Sequence, residues 1–207
     1  MYLDKSLQTY LDDLASSNST PGGGSTAALS GAMGSALVCM VSRLTLGKAD
    51  YAAVHSEIEA IITNAEDVRS RFQNLMQADI EAYGQLAASF KLPRATPEEK
   101  AARTQSIQDA LVGAALVPLE MVELAAQLVK HCLRVAEIGN KNVLSDIATA
   151  SMMASGAATG AAWMVRTNLN SLKDAERVHA LQQRLTVALE TVSVGSQQVV
   201  KIVGERA

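Results

Sequence analysis

Hydrophobic residues recur along most of this chain with the 3.6-residue period of an α-helix. No segment shows the alternating pattern of a β-strand, and no linker divides the chain. We therefore predict an all-α fold, a bundle of long and partly kinked helices that forms a single domain over residues 1–207. The predicted helices span residues 3–15, 25–46, about 49–90, 97–138, 145–169 and 173–205.

Two local signals refine these helix boundaries. Thr96-Pro97-Glu98-Glu99 has a capping residue, a proline at the first helical position and acidic residues in the first turn, which predicts a helix start. Pro118 lies in the middle of the same predicted helix, where we expect it to kink or divide the run.

The segment 25–46 is unusual because small residues, mostly alanine, glycine and serine, occupy much of it. A helix this narrow needs closely packed neighbours, so we predict that it is the central helix. Gly22, Gly23 and Gly24 break the chain before it, and Ser25 is expected to cap it. The free N–H groups and the helix dipole make such a start a candidate anion site.

Composition excludes several classes of function. The chain is 48% hydrophobic and only 3% aromatic, and its formal net charge is −3 without a basic cluster, so we expect no nucleic-acid partner. Segments 26–42 and 147–165 are long enough to raise the question of a membrane, but their weakly apolar residues favour buried helices. Cys39 and Cys132 lack metal-ligand spacing, which favours buried thiols in a reducing cytoplasm and no metal site.

Asp79 is the most informative candidate for chemistry. On a helical projection it falls among Leu75, Leu86 and Phe90 on the apolar side of its helix. A carboxylate there has either a partner, as in a buried ion pair or a capped backbone group, or a raised pKa suited to acid–base catalysis. Lys48 follows the narrow helix and is either a cation of the site or a solvated lysine that complements the helix dipole.

Four motifs occur in order along the chain. They are Pro21-Gly-Gly-Gly-Ser25, Leu44-Thr45-Leu46-Gly47-Lys48, Leu92-Pro93 followed by Thr96-Pro97-Glu98-Glu99-Lys100, and Asn140-Lys141-Asn142 leading to Ser145-Asp146. Together they resemble the cyclodeaminase/cyclohydrolase family of folate enzymes, over essentially the whole chain. The resemblance implies an all-helical, dimeric enzyme that acts on a tetrahydrofolate derivative without a metal or a tightly bound cofactor, and the two cysteines predict a cytoplasmic location.

The resemblance also implies roles for individual residues. Asp79, in Ala78-Asp79-Ile80-Glu81-Ala82-Tyr83, matches the family's catalytic aspartate, and Lys48 is expected to assist it or to attract the glutamate carboxylates of the folate. Met164 stands where the family commonly has asparagine. The residues expected to line the folate pocket are Gly22, Gly23, Gly24, Ser25, Thr45, Asn142, Ser145, Asp146 and Asn168. For Ser145 and Asp146 a simple helix start is the alternative.

Three functions remain open at this point. The length of the chain leaves no room for a formiminotransferase domain, which favours a methenyltetrahydrofolate cyclohydrolase. A formiminotetrahydrofolate cyclodeaminase that releases ammonia is the first alternative. A helical, dimeric interaction protein without catalysis is the second, because narrow helices and amphipathic faces serve association equally well.

Overall fold

A computed structural model describes residues 2–206, which contain six α-helices and no β-strand. Three short 3-10 turns, at Tyr2–Asp4, Ala49–Val54 and Lys141–Val143, precede the first, third and fifth of these helices. The prediction of an all-α fold is confirmed. The helices are α1 Leu7–Leu14, α2 Gly23–Leu46, α3 His55–Ser89, α4 Pro97–Ile138, α5 Leu144–Leu169 and α6 Ala175–Arg206.

Helix α2 packs against α3, α4 and α5, whereas α4 packs against α2, α3, α5 and α6, so the prediction that α2 is the central helix was wrong. Helix α2 runs antiparallel to α3, because Gly31 lies against the ring of Phe72 while Arg43, further along, pairs with Glu66. The narrow surface allows this approach, since a Cβ at position 31 would overlap the Phe72 ring. The same close packing joins α2 to α5.

Helices α3 and α4 are longer than α2 and extend beyond its N-terminus as a helical hairpin. The capping box predicted at the start of α4 is present, since Thr96 Oγ1 accepts from the Glu99 N–H at 3.2 Å and Glu99 Oε2 accepts from the Thr96 N–H at 3.1 Å. Arg103 donates to the carbonyl of Phe90 at 3.1 Å and closes the hairpin. The inner part of this hairpin forms one wall of the cavity described below.

Several predicted boundaries were wrong. Helix α3 begins at His55 rather than near residue 49, because a 3-10 turn occupies Ala49–Val54. Helix α2 begins at Gly23 rather than at residue 25, with Gly22 at the cap position. Ser25 is therefore not the N-cap but lies in the first turn, where its hydroxyl binds the backbone of Gly22. Ser145 likewise lies inside α5, which begins at Leu144. The first predicted helix is divided, because Ser6 caps α1 through the Thr9 N–H at 3.1 Å.

Pro118 does not divide α4, which continues through it to Ile138. A proline in a helix lacks the N–H that would bind the carbonyl four residues earlier, here that of Ala114. The side-chain amide of Asn168 on α5 donates to that carbonyl at 2.8 Å. A neighbouring helix therefore supplies the hydrogen bond that the proline removes.

Two helices, α2 and α4, are long and apolar enough to cross a membrane by length and composition, whereas the segment 147–165 does not meet that test. Their apolar windows are 56% and 61% buried inside the bundle, as is typical of core helices. The bundle itself therefore accounts for much of their hydrophobicity.

Both cysteines are buried free thiols, as the sequence predicts. Burial raises the pKa of Cys39 to about 11 and that of Cys132 to about 12. Neither thiol is therefore ionised near neutral pH.

Replacing Gly31 with alanine is expected to destabilise the fold. The added methyl group would overlap the fully buried Phe72 ring, so we expect Gly31→Ala to lower the free energy of unfolding by about 1–3 kcal/mol. Gly113→Ala is the matched control, because nothing lies within 4 Å of its Cβ position, and it should stabilise α4 by up to about 1 kcal/mol. Urea unfolding measures both changes, and equal effects of the two variants would contradict this account of the α2–α3 contact.

Candidate active site

A cavity of about 340 Å³ lies at the N-terminus of α2. Its walls come from the loop before α2, the outer half of α3, Ala114 of α4 and the end of α5. The lining is mostly apolar and includes one carboxylate, that of Asp79. The other lining residues are Ser19, Thr20, Gly22, Gly23, Gly24, Ala82, Tyr83, Leu86, Met164, Thr167 and Asn168.

Asp79 reaches the first turn of α2 because Gly24 has no side chain. A Cβ on Gly24 would overlap the Asp79 carboxylate, so this position requires glycine on steric grounds. The carboxylate accepts a hydrogen bond from the Ser25 N–H, one of the donors that a helix N-terminus leaves free. The anion site expected at this helix start is thus occupied by a side chain of the protein itself.

Burial raises the pKa of Asp79 above the usual aspartate range, because the apolar surroundings disfavour the ionised form. The hydrogen bond from the Ser25 N–H acts in the opposite direction and lowers the pKa, but its effect is the smaller. The result is a carboxyl group that both accepts and donates protons closer to neutral pH than an exposed aspartate does.

The loop before α2 is fixed by hydroxyl groups. Ser25 Oγ accepts from the Gly22 N–H at 3.2 Å and donates to the Gly22 carbonyl at 2.9 Å, and Thr26 Oγ1 donates to the same carbonyl at 2.9 Å. The buried Tyr10 hydroxyl lies 3.3 Å from Ser25 Oγ and 3.2 Å from Thr26 Oγ1, so α1 supports the turn. Sequence reasoning missed Tyr10, because nothing in a short amphipathic helix indicates which hydroxyl meets another element.

Asn168 has a defined orientation at the cavity wall. Its Nδ2 donates to the carbonyls of Ala114 at 2.8 Å and Met164 at 2.9 Å, which uses both amide hydrogens. The amide oxygen is the polar atom that remains for a ligand. The Met164 side chain lies beside Gly23, with its Cε 3.5 Å from where a Cβ on residue 23 would be. It adds apolar surface at a position where the resemblance predicts asparagine.

The structure brings together some of the predicted site residues and not others. Asp79, Asn168 and the turn Gly22–Gly24 line the cavity, and Ser25 lies directly beneath it. The remaining five lie at the opposite end of α2 and α5. These are Thr45, Lys48, Asn142, Ser145 and Asp146.

The residues at this second end differ in their surroundings. Thr45 is fully buried and structural, since its hydroxyl donates to the Val41 carbonyl at 2.8 Å and accepts from the Asn140 N–H at 3.0 Å. Lys48 and Asn142 are exposed. The rise of an α-helix places Leu46, the last residue of α2, about 33 Å from Gly24, and Lys48 follows it, so a single subunit does not unite the two groups.

Other hollows on the surface offer less chemistry. The one between α4 and α6 contains the Glu123–Arg184 pair at 2.8 Å, which leaves Lys130 as its remaining charged residue. Within residues 2–206, no three histidine, cysteine or acidic side chains are grouped in a way that could hold a metal ion. The cavity at Asp79 is therefore the candidate active site.

Comparison with known proteins identifies the family. A profile described as formiminotransferase-cyclodeaminase matches residues 6–187. The chain belongs to this family. A methenyltetrahydrofolate cyclohydrolase of Methylorubrum extorquens is 40% identical over 171 residues, which cover 83% of this chain and 82% of that protein.

Two further members extend the comparison. The formimidoyltransferase-cyclodeaminase of Rattus norvegicus is 33% identical over 172 residues, 83% of this chain but 32% of the rat protein. The crystal structure of a formiminotetrahydrofolate cyclodeaminase from Thermotoga maritima matches with a TM-score of 0.90 and 27% identity, covering 99% of this chain and 98% of that one. The whole helical bundle is thus the fold of this family.

The raised pKa of Asp79 predicts a pH-dependent effect of its substitution. The folded protein holds the Asp79 proton more tightly than the unfolded chain, so stability is lost as pH rises from the ordinary aspartate pKa, about 3.9, through the raised value. Asp79→Asn cannot ionise and should gain stability relative to wild type over this rise, by about 1.4 kcal/mol for each pH unit between the two pKa values.

Urea unfolding in steps from about pH 4 to 8 measures this difference. A difference between variant and wild type that stays constant over that range would contradict the prediction, because Asp79 would then titrate alike in the folded and unfolded states.

Proposed function

We propose that this protein is a methenyltetrahydrofolate cyclohydrolase, which hydrolyses 5,10-methenyltetrahydrofolate to 10-formyltetrahydrofolate. The observation that carries the proposal is the single, half-buried carboxylate of Asp79 in a cavity of ligand size. The cyclohydrolase of M. extorquens, matched at 40% identity over most of both chains, supports this reaction for a chain of this fold.

The reaction requires proton transfers at water and nitrogen. Water attacks the cationic methenyl carbon, and ionised Asp79 accepts the proton that the water loses. The C–N5 bond of the resulting tetrahedral intermediate then breaks, and protonated Asp79 returns the proton to N5. The hydroxyl group becomes the formyl carbonyl and releases its proton to solvent, so one group serves first as base and then as acid.

The surroundings of Asp79 suit both steps. The raised pKa keeps its two protonation states accessible, while the Ser25 N–H fixes the orientation of the carboxylate. In its ionised form the carboxylate also attracts the cationic methenyl group, more strongly in an apolar cavity than in water.

The remaining lining fits a pterin ring. Tyr83, Leu86 and Met164 provide apolar walls for the ring faces. The amide oxygen of Asn168, the Thr167 hydroxyl and the backbone of the Gly22–Gly24 turn offer hydrogen-bonding partners for its edge. Because proton transfer alone suffices for the reaction, we expect no tightly bound cofactor.

Formiminotetrahydrofolate cyclodeaminase is the second candidate, favoured by the close match to the T. maritima structure. In that reaction N10 attacks the formimino carbon on N5, and ammonia leaves after it gains a proton. The same carboxylate serves, since the N10 proton must move to the leaving nitrogen.

We also propose a two-fold dimer in the cytoplasm. Several large apolar side chains on α2 are exposed in a single subunit, which is what a subunit interface requires. The two free, buried thiols are consistent with a reducing compartment.

Parallel assays with methenyl- and formiminotetrahydrofolate distinguish the reactions. We expect loss of methenyl absorbance without ammonia release from the first substrate. Turnover of only the formimino compound, with ammonia produced, would establish the cyclodeaminase instead. Turnover of neither substrate would favour a non-catalytic interaction protein.

Asp79→Asn is expected to lower kcat by about 10²–10⁴-fold, because the amide cannot take part in proton transfer. Asp67→Asn, an exposed substitution on the same helix and away from the cavity, is the matched control and should keep wild-type turnover. Steady-state kinetics on folded protein measure both. Near-wild-type turnover by Asp79→Asn would refute the assigned role.

Adjacent glycines provide a second test of the site. Gly24→Ala places a methyl group on the Asp79 carboxylate and should displace it, lowering kcat/KM by at least about tenfold. Gly23→Ala makes only ordinary contact with the Met164 side chain at 3.5 Å and should retain most activity. Equal activity of the two variants would show that turnover does not depend on the close approach of Asp79 to α2.

A further inference from the structure

The Asp79 cavity is small for a whole folate. Its volume of about 340 Å³ is near the lower end of the range for ligand pockets, about 300–1,000 Å³. A tetrahydrofolate carries a p-aminobenzoyl ring and one or more glutamates beyond its pterin. The described residues that line the cavity include no lysine or arginine for the glutamate carboxylates. The tail of a folate bound at Asp79 therefore extends outside the cavity, where its charges need a partner.

A second hollow, of about 520 Å³, adjoins the cavity between the end of α5 and the first half of α6. Its aromatic and polar lining consists of Trp163, Arg166, Thr167 and Asn170 of α5 with Gln182 and Thr186 of α6. We call it the α5–α6 hollow. Thr167 lines both the hollow and the cavity, so a ligand that extends from one to the other passes this residue.

The spacing along α5 suits such a ligand. Trp163 and Thr167 are four residues apart, so they share one side of the helix and lie about 6 Å apart along its axis. Met164, the neighbour of Trp163 in sequence, lines the cavity. In a folate, one carbon and N10 separate the pterin from the p-aminobenzoyl ring. A pterin held against Met164 therefore brings that ring within reach of Trp163.

Trp163 offers an aromatic surface in the hollow. It is the one tryptophan of the chain and is 60% exposed, although a large aromatic side chain usually gains stability from burial. The guanidinium carbon of Arg166 lies 5.2 Å from the centroid of its ring, which is a cation–π contact. The hollow thus combines an aromatic surface with a positive charge beside it.

The charge of Arg166 is not neutralised by a carboxylate. Six other arginines form ion pairs, whereas the ring contact with Trp163 is the one interaction of the Arg166 side chain within residues 2–206. The described residues that line the hollow include no acidic one, and the amide of Gln182 adds N–H donors. A guanidinium without a partner can bind a carboxylate through two parallel hydrogen bonds.

The other route out of the cavity follows α3 and offers less. Tyr83 lines the cavity, and the exposed Phe90 lies seven residues further along the same side of the helix. The cation beside Phe90 is Arg103, which already donates to the Phe90 carbonyl at 3.1 Å. Arg94, exposed in the turn between α3 and α4, provides the comparison for this route.

We propose that the α5–α6 hollow is the subsite for the tail of the folate. Trp163 stacks on the p-aminobenzoyl ring, and Arg166 binds the glutamate carboxylates. This inference rests on the proposed function for its ligand, whereas the affinity of the hollow for an aromatic anion does not depend on turnover.

Substitutions of Arg166 test the subsite by kinetics. Arg166→Met should raise KM for a triglutamylated methenyltetrahydrofolate by about tenfold or more with little change in kcat, because the tail is bound alike in the substrate complex and in the transition state. Arg166→Lys keeps the charge and should recover part of the loss. Arg94→Met removes the same charge from the turn between α3 and α4 and should leave both constants unchanged.

An unchanged KM in Arg166→Met would overturn the proposal, and so would a rise in KM in Arg94→Met instead. Either result would leave the proposed function intact, because the wild-type protein would still turn over the folate. If the formimino compound is the one that is turned over, the same comparison applies with that substrate.

Tryptophan fluorescence tests the subsite without turnover, since Trp163 alone gives the signal. Triglutamylated 5-formyltetrahydrofolate, a stable reduced folate, should quench it saturably, and Arg166→Met should raise the Kd by about tenfold or more. A tetrahydropterin that lacks the tail should leave the fluorescence unchanged.

Fluorescence that stays constant throughout the folate titration overturns the subsite, as does equal quenching by the tetrahydropterin. Saturable quenching that depends on Arg166, in a protein that turns over neither folate, would support the subsite and refute the proposed function.

Discussion

The contact between Asp79 and the first turn of α2 is the constraint on which the site depends. Its geometry requires Gly24, because any side chain there would occupy the space of the carboxylate. Its electrostatics combine two opposed effects, since apolar burial raises the pKa of Asp79 while the Ser25 N–H lowers it. Burial has the larger effect on the pKa, so the carboxyl group remains able to exchange a proton. The hydrogen bond from the Ser25 N–H has the smaller effect on the pKa, but it orients the carboxylate.

That contact is held in place by the packing of the narrow helix. Gly24 and Gly31 are seven residues apart on α2, as are Asp79 and Phe72 on the antiparallel α3, so the two contacts share one register. A slip of one turn would move Asp79 away from Gly24. The small residues of α2 thus fix the position of the carboxylate. Bulky side chains from the neighbouring helices fill the space that these small residues leave.

The sequence predicted the helices, the close packing of α2 and the candidate role of Asp79, because periodicity, small residues and a carboxylate on an apolar face are local signals. It misplaced Ser25 and Ser145 because both resemble caps, whereas the hydrogen bonds at Gly22 and the 3-10 turn before α5 begin each helix earlier. The contact of Asn168 with the carbonyl freed by Pro118 joins two helices, so no local pattern indicates it. The order of the motifs along the chain also did not show which of them lie close together in space. The length of the predicted helix at α2 already separates Lys48 from Gly24.

The distribution of charge around the cavity follows from the charges of the proposed substrate. Methenyltetrahydrofolate is positive at the reacting bridge and negative at its glutamate end. A lysine inside the cavity would repel the bridge and stabilise the ionised form of Asp79, which lowers the pKa needed for the second proton transfer. A cation at the mouth attracts the carboxylates while remaining far enough from Asp79 to be screened by solvent.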